Sequence, residues 1–557
     1  GVNITWTRLK GGEKVRPLVE RAIQEFNPEN PAAIVPLLFQ IRTAIGGLEN
    51  SVWKRRKYQE TEQLIQECLG LFIEATAGHY QSSPGEKIRI NLEIINRSGA
   101  EVQVNEISAK GVTWDTTFTQ VLRPNVALQL KTYASVDPHR AYSDPYWLTE
   151  PHSLGLFTVK NPDYIGLPQN PPAAEFVFSV QVGQEKMQIT RPLIYKWVDN
   201  VKGEWWRPFE IVPPVFVNLQ DKVIIFNNGQ PREVKIVVRG AGDRLLKGEL
   251  KLSLPAGWKC EPASIPIELM KKNEELTKSF QLYPSATEAT TTIKAFVETE
   301  GKVYDQSIQL INYDHIPIQT LLPKAEVKAV RLDLKKEGNL VAYIKGAGDE
   351  IPSALRNIGY EVWEMKNEEV TLQNLKRADA VVLGVRALNA NERIRYIMPS
   401  LLEYVKTGGT LVVQYNTNFD METDAFSPYP LKLSRERVTQ EDAEVRILKP
   451  DHALLNAPNK ITPRDFEGWV QERGLYYPST WDPNFEALLS MNDKGETPKD
   501  GSLLVAKYGE GHYIYTGLSF FRELPEGVAG AYKLFANAIS LGRSKKTDNA
   551  KTKNKTK

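Results

Sequence analysis

Side chains able to do chemistry are few in this chain, and their spacing suits few reactions. Six histidines occur, His79, His139, His152, His315, His452 and His512. No two stand three or four positions apart, the spacing that lets one helix offer two metal ligands. Asp137-Pro138-His139 and Asp314-His315 set a carboxylate beside an imidazole in expected loops, a pattern that chance often produces. No metal site is expected. The two cysteines, Cys68 and Cys260, fall outside the segment that reads as an α/β sheet, so neither is expected to act as a nucleophile with a histidine base. Two thiols make no disulfide framework and say little about redox compartment. Gly517-Leu518-Ser519 carries Phe521 where a nucleophile elbow needs its second glycine.

Polar binding chemistry remains, and residues 339–418 are the stretch that would position it. The buried run Leu340-Val341-Ala342-Tyr343-Ile344 leads to Gly346, a helix-compatible segment, and further strands over 360–364, 380–385 and 410–414. Apolar strands alternating with helices predict a parallel sheet covered on both faces. In such sheets the reactive group sits just past a strand's carboxyl end. Here Gln414, Tyr415 and Asn416 hold that place, and none is a covalent nucleophile. Converging strand ends should gather Gly346, Arg386, Asn389, Asn416, Asn418 and Arg522, whose guanidinium and amide groups suit hydroxyls, carboxylates or amides. Arg386 and Arg522 serve equally well as loop-holding ion pairs.

Two further sets extend the candidates. The segment 465–474, Asp-Phe-Glu-Gly-Trp-Val-Gln-Glu-Arg-Gly, is charged and aromatic for a loop; it adds Trp469 and Arg473 to the candidate pocket, or staples a long excursion. Asp465 or Glu467 would be the general base if this domain hydrolysed without a covalent intermediate. Tyr142, Tyr146 and Trp147, in a loop over 137–152, and Trp205 and Trp206, at an expected linker, form a candidate saccharide platform, because aromatic faces stack on sugar rings. Aromatic rings near a domain junction more often fill the junction than bind a sugar.

A chain of 557 residues exceeds a single core and predicts three or four domains. Lys+Arg 70 against Asp+Glu 68 leaves no field for steering toward nucleic acid. No run is apolar for long enough to span a membrane, and no signal peptide is expected within these residues. A start at Gly1 without Met predicts a processed product or a piece of a longer chain. Helical periodicity covers 1–78, with Val15, Leu18, Val19, Ala22, Ile23 and Phe26 on one face. At residue 79 the period becomes two, as in Ile88, Ile90, Leu92 and Ile94, predicting one antiparallel β-sandwich over 79–204 and a second, immunoglobulin-like, over 205–320. An α/β domain over 321–543 follows, with a link over 323–336 leading into it, an irregular excursion over 419–487 and a disordered basic tail over 544–557.

Particular phrases carry a resemblance. Trp6-Thr7-Arg8-Leu9-Lys10-Gly11-Gly12, Phe26-Asn27-Pro28-Glu29-Asn30-Pro31, Gly468-Trp469-Val470-Gln471-Glu472-Arg473-Gly474 and Tyr515-Thr516-Gly517-Leu518-Ser519-Phe520-Phe521-Arg522, in this domain order, resemble the C-terminal region of large bacterial PIG-L (LmbE-like) family deacetylases. The likeness spans the chain to about Leu541. Leu254-Pro255-Ala256-Gly257-Trp258 resembles a strand-turn element of β-sandwich modules in carbohydrate-active enzymes. The last domain is similar to flavodoxin-like, class I glutamine amidotransferase domains without their cysteine. The resemblance implies a zinc-dependent N-acetyl-sugar deacetylase parent, periplasmic or extracellular, with its own upstream catalytic domain as partner and carbohydrate as a possible one. The family's His-Pro-Asp-Asp motif is absent: Asp137-Pro138-His139 has the wrong order and Asn161-Pro162-Asp163 lacks the histidine. No catalytic residue, zinc ligand or other cofactor is therefore expected in this chain. It would be an accessory, scaffolding and glycan-contacting region. The alternative is a stand-alone binding protein whose amidotransferase-like domain holds a polar ligand or a protein partner.

Overall fold

The computed structural model describes residues 4–114, 118–153, 155–227 and 229–542; the basic tail expected from 544 lies outside them. The chain is a multidomain, β-rich protein with a helical stretch at its start. Among the described residues, no helix is long and apolar enough to cross a membrane.

Helices Arg16–Glu25, Val35–Gly46 and Val52–Cys68 follow the expected apolar spacing, and Ser51 caps the third by accepting from Lys54 N. The helical segment was expected to run to residue 78. Instead Leu71–Ala77 is a strand, because Ile73, Ala75 and Ala77 alternate into the core shared with Ile88, Ile90 and Leu92.

That strand joins a nine-stranded sheet. Its long member, Glu185–Asp199, serves two neighbourhoods: residues 185–192 pair with Glu175–Val182, and residues 194–199 pair with Gly203–Pro208. The pairing of Leu71–Ala77 with Glu185–Asp199 is parallel, so the sheet is not wholly antiparallel as expected. Trp205 and Trp206 lie on the strand Gly203–Pro208, opposite Trp197 and Lys196, and not on a linker.

Next, a four-stranded and a six-stranded sheet share one core. Val217, Ile236, Val238 and Phe280 meet Phe226, Leu250, Ile293 and Val327 there. Trp258 is buried edge-on to Phe226, centroids 5.3 Å apart. The expected link over 323–336 contains a strand of this unit, Glu326–Arg331, which pairs in parallel with Val223–Phe226 because Val327 and Ala329 fall on the buried face.

The last unit carries a seven-stranded sheet in the order Glu361–Met365, Leu340–Ile344, Ala380–Leu383, Thr410–Val413, Gly511–Thr516, Leu503–Tyr508, Phe485–Ala487. The first five run parallel, Leu503–Tyr508 runs against them, and Phe485–Ala487, antiparallel to it, restores their direction. Alternate side chains enter two cores: Val341, Tyr343, Val382, Val412 and Ile514 pack toward helix Ala529–Ser540, while Ala342, Ile344, Val381, Leu383 and Val413 pack toward helix Ile394–Lys406. Both faces are dry, which explains the unbroken apolar runs. The excursion read as irregular holds paired strands, Leu431–Val438 with Gly474–Trp481 and Val445–Ile447 with Leu489–Met491.

Candidate functional site

Strand Leu340–Ile344 lies between Glu361–Met365 and Ala380–Leu383, so successive connections leave it in opposite directions. The carboxyl ends therefore open a crevice at this reversal of strand order, the usual ligand position in open parallel sheets. Gly346 closes its floor: a Cβ there would sit 2.1 Å from Val385 O, and Ala347 N donates to the same carbonyl at 2.9 Å. Asp349 ties the two sides together. Its Oδ1 accepts from Tyr343 OH at 2.7 Å and Ile351 N at 3.0 Å, and its Oδ2 accepts from Val385 N at 2.9 Å. A cavity of about 500 Å³ opens beside it, lined among others by Tyr343, Lys345, Gly348, Glu350 and Phe521.

Arg386 stands on the far lip with φ 53°, a left-handed conformation that costs a non-glycine residue about 1–3 kcal/mol. Its Nε is buried and has no hydrogen-bond partner among the described residues. The guanidinium acts on the Tyr415 phenol; burial pushes that phenol above its ordinary value, while Arg386 and Arg522 pull against the rise. The Tyr415 ring stacks on Tyr476, centroids 6.2 Å apart and planes 12° from parallel, and touches Phe521 at 5.1 Å. Tyr476 is also left-handed, φ 53°. Arg437 lies 5.4 Å over the Tyr476 ring and Arg435 5.7 Å over Phe419.

Other expected pocket residues do different work. Arg522 is paired, its Nε donating to Glu472 Oε1 at 2.9 Å. Asn389 Nδ2 donates to Phe419 O at 2.9 Å while Oδ1 accepts from Thr417 N. Asn416 is fully buried, accepting from Leu388 N and donating to Gln414 O. These two amides staple the loops that carry Arg386 and Tyr415. Asn418 is exposed.

Trp469 and Arg473 do not line the crevice. Trp469 is 2% exposed, packed on Phe466 and Phe520, with Nε1 donating to Asp465 O at 3.0 Å. Buried Arg473 gives its guanidinium protons to Ala443 O and Phe466 O. Both hold the excursion in place, because orphan carbonyls inside a buried loop require donors. Asp465 is occupied in accepting from Thr462 N and Oγ1, and Glu467 is exposed. Asp349, Phe419, Tyr476 and Phe521 went unrecognised as site residues. The tandem Tyr476-Tyr477 on a strand was the available signal, since one of two successive side chains must face away from the core.

The aromatics of the first sheet separate likewise. Trp147 and Trp206 line a cavity of about 250 Å³ with Gln169, Asn170, Glu210 and Gln319, and Trp206 is 55% exposed. Tyr146 stands edge-on to Trp147 at 4.9 Å, its OH donating to Leu167 O. Asn170 bridges the loops, accepting from Tyr146 N and donating to Asp144 O. Tyr142 instead packs between two cores, and burial pushes its phenol up to about 12. Trp205 stacks on Trp197 at 6.2 Å, away from this cavity. Beneath Trp206, Arg207, Glu210 and Thr320 form a buried network with contacts of 2.7–3.0 Å.

Among the described residues, no group of three or more His, Cys, Asp or Glu side chains is placed to hold a metal ion.

No family model and no curated protein matches the chain. Among solved structures, it is matched with native E. coli alpha-2-macroglobulin (8% identity, 46% of this chain, 16% of that chain, TM-score 0.16). Salmonella alpha-2-macroglobulin reacted with methylamine gives 8% identity over 48% of this chain and 16% of that chain, TM-score 0.17. Red sea bream transglutaminase gives 10% identity over 47% of this chain and 33% of that chain, TM-score 0.20. The chain thus spans a third or less of each of these proteins, and similarity at this level carries no argument about fold or function.

Proposed function

We propose that this chain is a non-catalytic, glycan-contacting accessory region of a larger sugar de-N-acetylase of the PIG-L type, whose hydrolytic zinc centre lies outside it. One observation supports the glycan contact above all. Trp147 and Trp206 flank a cleft whose other walls offer the amides of Gln169, Asn170 and Gln319. Indole faces stack on the apolar faces of pyranose rings, and amides satisfy sugar hydroxyls. The scaffolding part rests on the sequence phrases that resemble that family. In the same reading, the two sheets around Trp258 are an immunoglobulin-like module, and the seven-stranded unit is an amidotransferase-like fold kept without its nucleophile.

A glycan array read with the intact chain and with Trp147→Ala and Trp206→Ala variants tests the proposal. Binding to N-acetylated saccharides should fall by about tenfold or more in either variant, the weakening expected from losing one stacking ring worth about 1.4 kcal/mol. An Arg386→Ala, Arg522→Ala variant should bind the same glycans unchanged. If the intact chain holds no glycan, the proposal is abandoned. The second reading, a stand-alone binding protein, draws support from the Arg386 crevice and predicts the reverse dependence on the two sets of variants.

A further inference from the structure

Near the crevice at the carboxyl ends of Leu340–Ile344, Ala380–Leu383 and Thr410–Val413 stand Lys345 on the cavity wall and Arg386, Arg435 and Arg437 around it, with exposed Glu436 between the last two in sequence. Carboxylates near it are mostly committed: Asp349 to three donors, Glu472 to Arg522, and Glu364 to Arg356 at 2.6 Å. Glu350 is exposed at the cavity wall. Against it stand Lys345 on the same wall, Arg386 with its buried Nε lacking a partner, and exposed Arg435 and Arg437 over aromatic rings. A buried guanidinium N–H without an acceptor costs roughly 1–3 kcal/mol, a cost that an anion reaching the Arg386 guanidinium would reduce.

The rings beside it specify what kind. Phe521 is common to the cavity wall and to the Tyr415 stack. Phe419, 42% exposed, stands edge-on to Tyr476 at 6.2 Å. A flat apolar surface therefore adjoins the unsatisfied guanidinium. Two non-glycine residues held left-handed, Arg386 and Tyr476, fix the geometry before any ligand arrives, as preorganised sites do.

We propose that this crevice is an anion site for a small ring-bearing ligand, its carboxylate or phosphate taken by Arg386 and its ring laid against the exposed side chain of Phe419. The site is separate from the Trp147–Trp206 cleft and independent of the glycan reading. Arginine suits this role because its planar fork pairs with either anion. The aromatic surface excludes inorganic phosphate alone as the best ligand.

Isothermal titration calorimetry with glucuronate, glucose 6-phosphate and glucose, on the full chain carrying Trp147→Ala and Trp206→Ala as the parent so that the other cleft is silent, tests the assignment. At least one of the two anions should bind, more weakly as salt rises, and glucose should not; which anion wins distinguishes carboxylate from phosphate. Arg386→Gln should weaken binding about tenfold or more, with Arg386→Lys intermediate. Should Arg386→Gln fail to fold, Arg437→Gln, at an exposed position, should still weaken binding and flatten the salt dependence. The proposal is overturned if neither anion binds at about 10 mM, if glucose binds as well as the anions, or if Arg386→Gln and Arg437→Gln both bind like the parent chain.

Discussion

Tyr415 and Tyr476 lie ring on ring, with centroids 6.2 Å apart and 12° between their planes. Tyr415 follows the strand Thr410–Val413, whereas Tyr476 comes from the excursion strand Gly474–Trp481. The contact thus joins the sheet's carboxyl edge to the antiparallel strand pair of the excursion, with Tyr476 held at φ 53°.

The strain at Tyr476 is measurable by paired substitutions. Tyr476→Ala and Tyr476→Gly both delete the stacked ring, worth about 0.5–1.5 kcal/mol. Glycine alone adopts a positive φ without steric cost, so the glycine variant should be more stable than the alanine variant by about 1 kcal/mol. Urea unfolding of the two variants reads the difference directly. Equal midpoints would show that the backbone there relaxes freely and stores no strain.

Gly346→Ala should be far more damaging than an ordinary loop substitution. The added methyl would lie 2.1 Å from Val385 O and 2.8 Å from Ala387 N, so the turn bearing Arg386 must move or the strand ends must part. Overpacking of this kind costs about 1–3 kcal/mol. A fall in Tm accompanied by loss of anion binding is expected. An unshifted Tm would mean that the crevice floor is not rigid.

The buried trio under Trp206 should show strong coupling. Arg207 Nη2 donates to Glu210 Oε2 at 2.9 Å and contacts Thr320 Oγ1 at 3.0 Å, and Thr320 Oγ1 donates to Glu210 Oε2 at 2.7 Å. Both charged residues are under a tenth exposed, and burial already pushes the Glu210 carboxyl up against the pull of Arg207. Arg207→Met strands that carboxylate and should cost about 3–5 kcal/mol. Adding Glu210→Leu should recover most of the loss. Additive losses in denaturant melts would show that the two side chains act separately.

The sheet of the last unit was readable because strands buried on both faces are uninterrupted apolar runs, as in Leu340–Ile344 and Thr410–Val413. Leu71–Ala77 was not, because its helix ends only at Cys68 and Leu71 and Phe72 place apolar side chains on both faces. Trp205-Trp206-Arg207-Pro208 read as a linker between two strand-rich segments, yet it is a strand, at whose end a proline is tolerated. For the site, residue type alone ranked Arg386 and Arg473 together. Only burial separates them: one guanidinium keeps an unmet donor, while the other is spent on carbonyls of its own loop. The Tyr415–Tyr476 contact had no sequence signal, since no local periodicity links two distant segments.

Glu523 sets a pH dependence of unusual sign. Burial pushes its carboxyl from an ordinary 4.5 to about 7, against the pull of Val470 N, Ser519 and Arg473. Local bonding is consistent with the neutral acid. The single proton of Ser519 Oγ can serve Glu472 O, 2.7 Å away, leaving the oxygen, 3.1 Å from Glu523 Oε1, free to accept from a protonated carboxyl. Between about pH 4.5 and about pH 7 the folded chain keeps a proton that the unfolded chain releases. Stability from this group therefore falls as pH rises through that window and levels off above it, by on the order of 3 kcal/mol in all. Glu523→Gln mimics the neutral acid and should remove the slope. Tm measured across the window for both proteins checks this: the difference between variant and parent should grow with pH, and a difference that stays constant would show that Glu523 is ionised throughout.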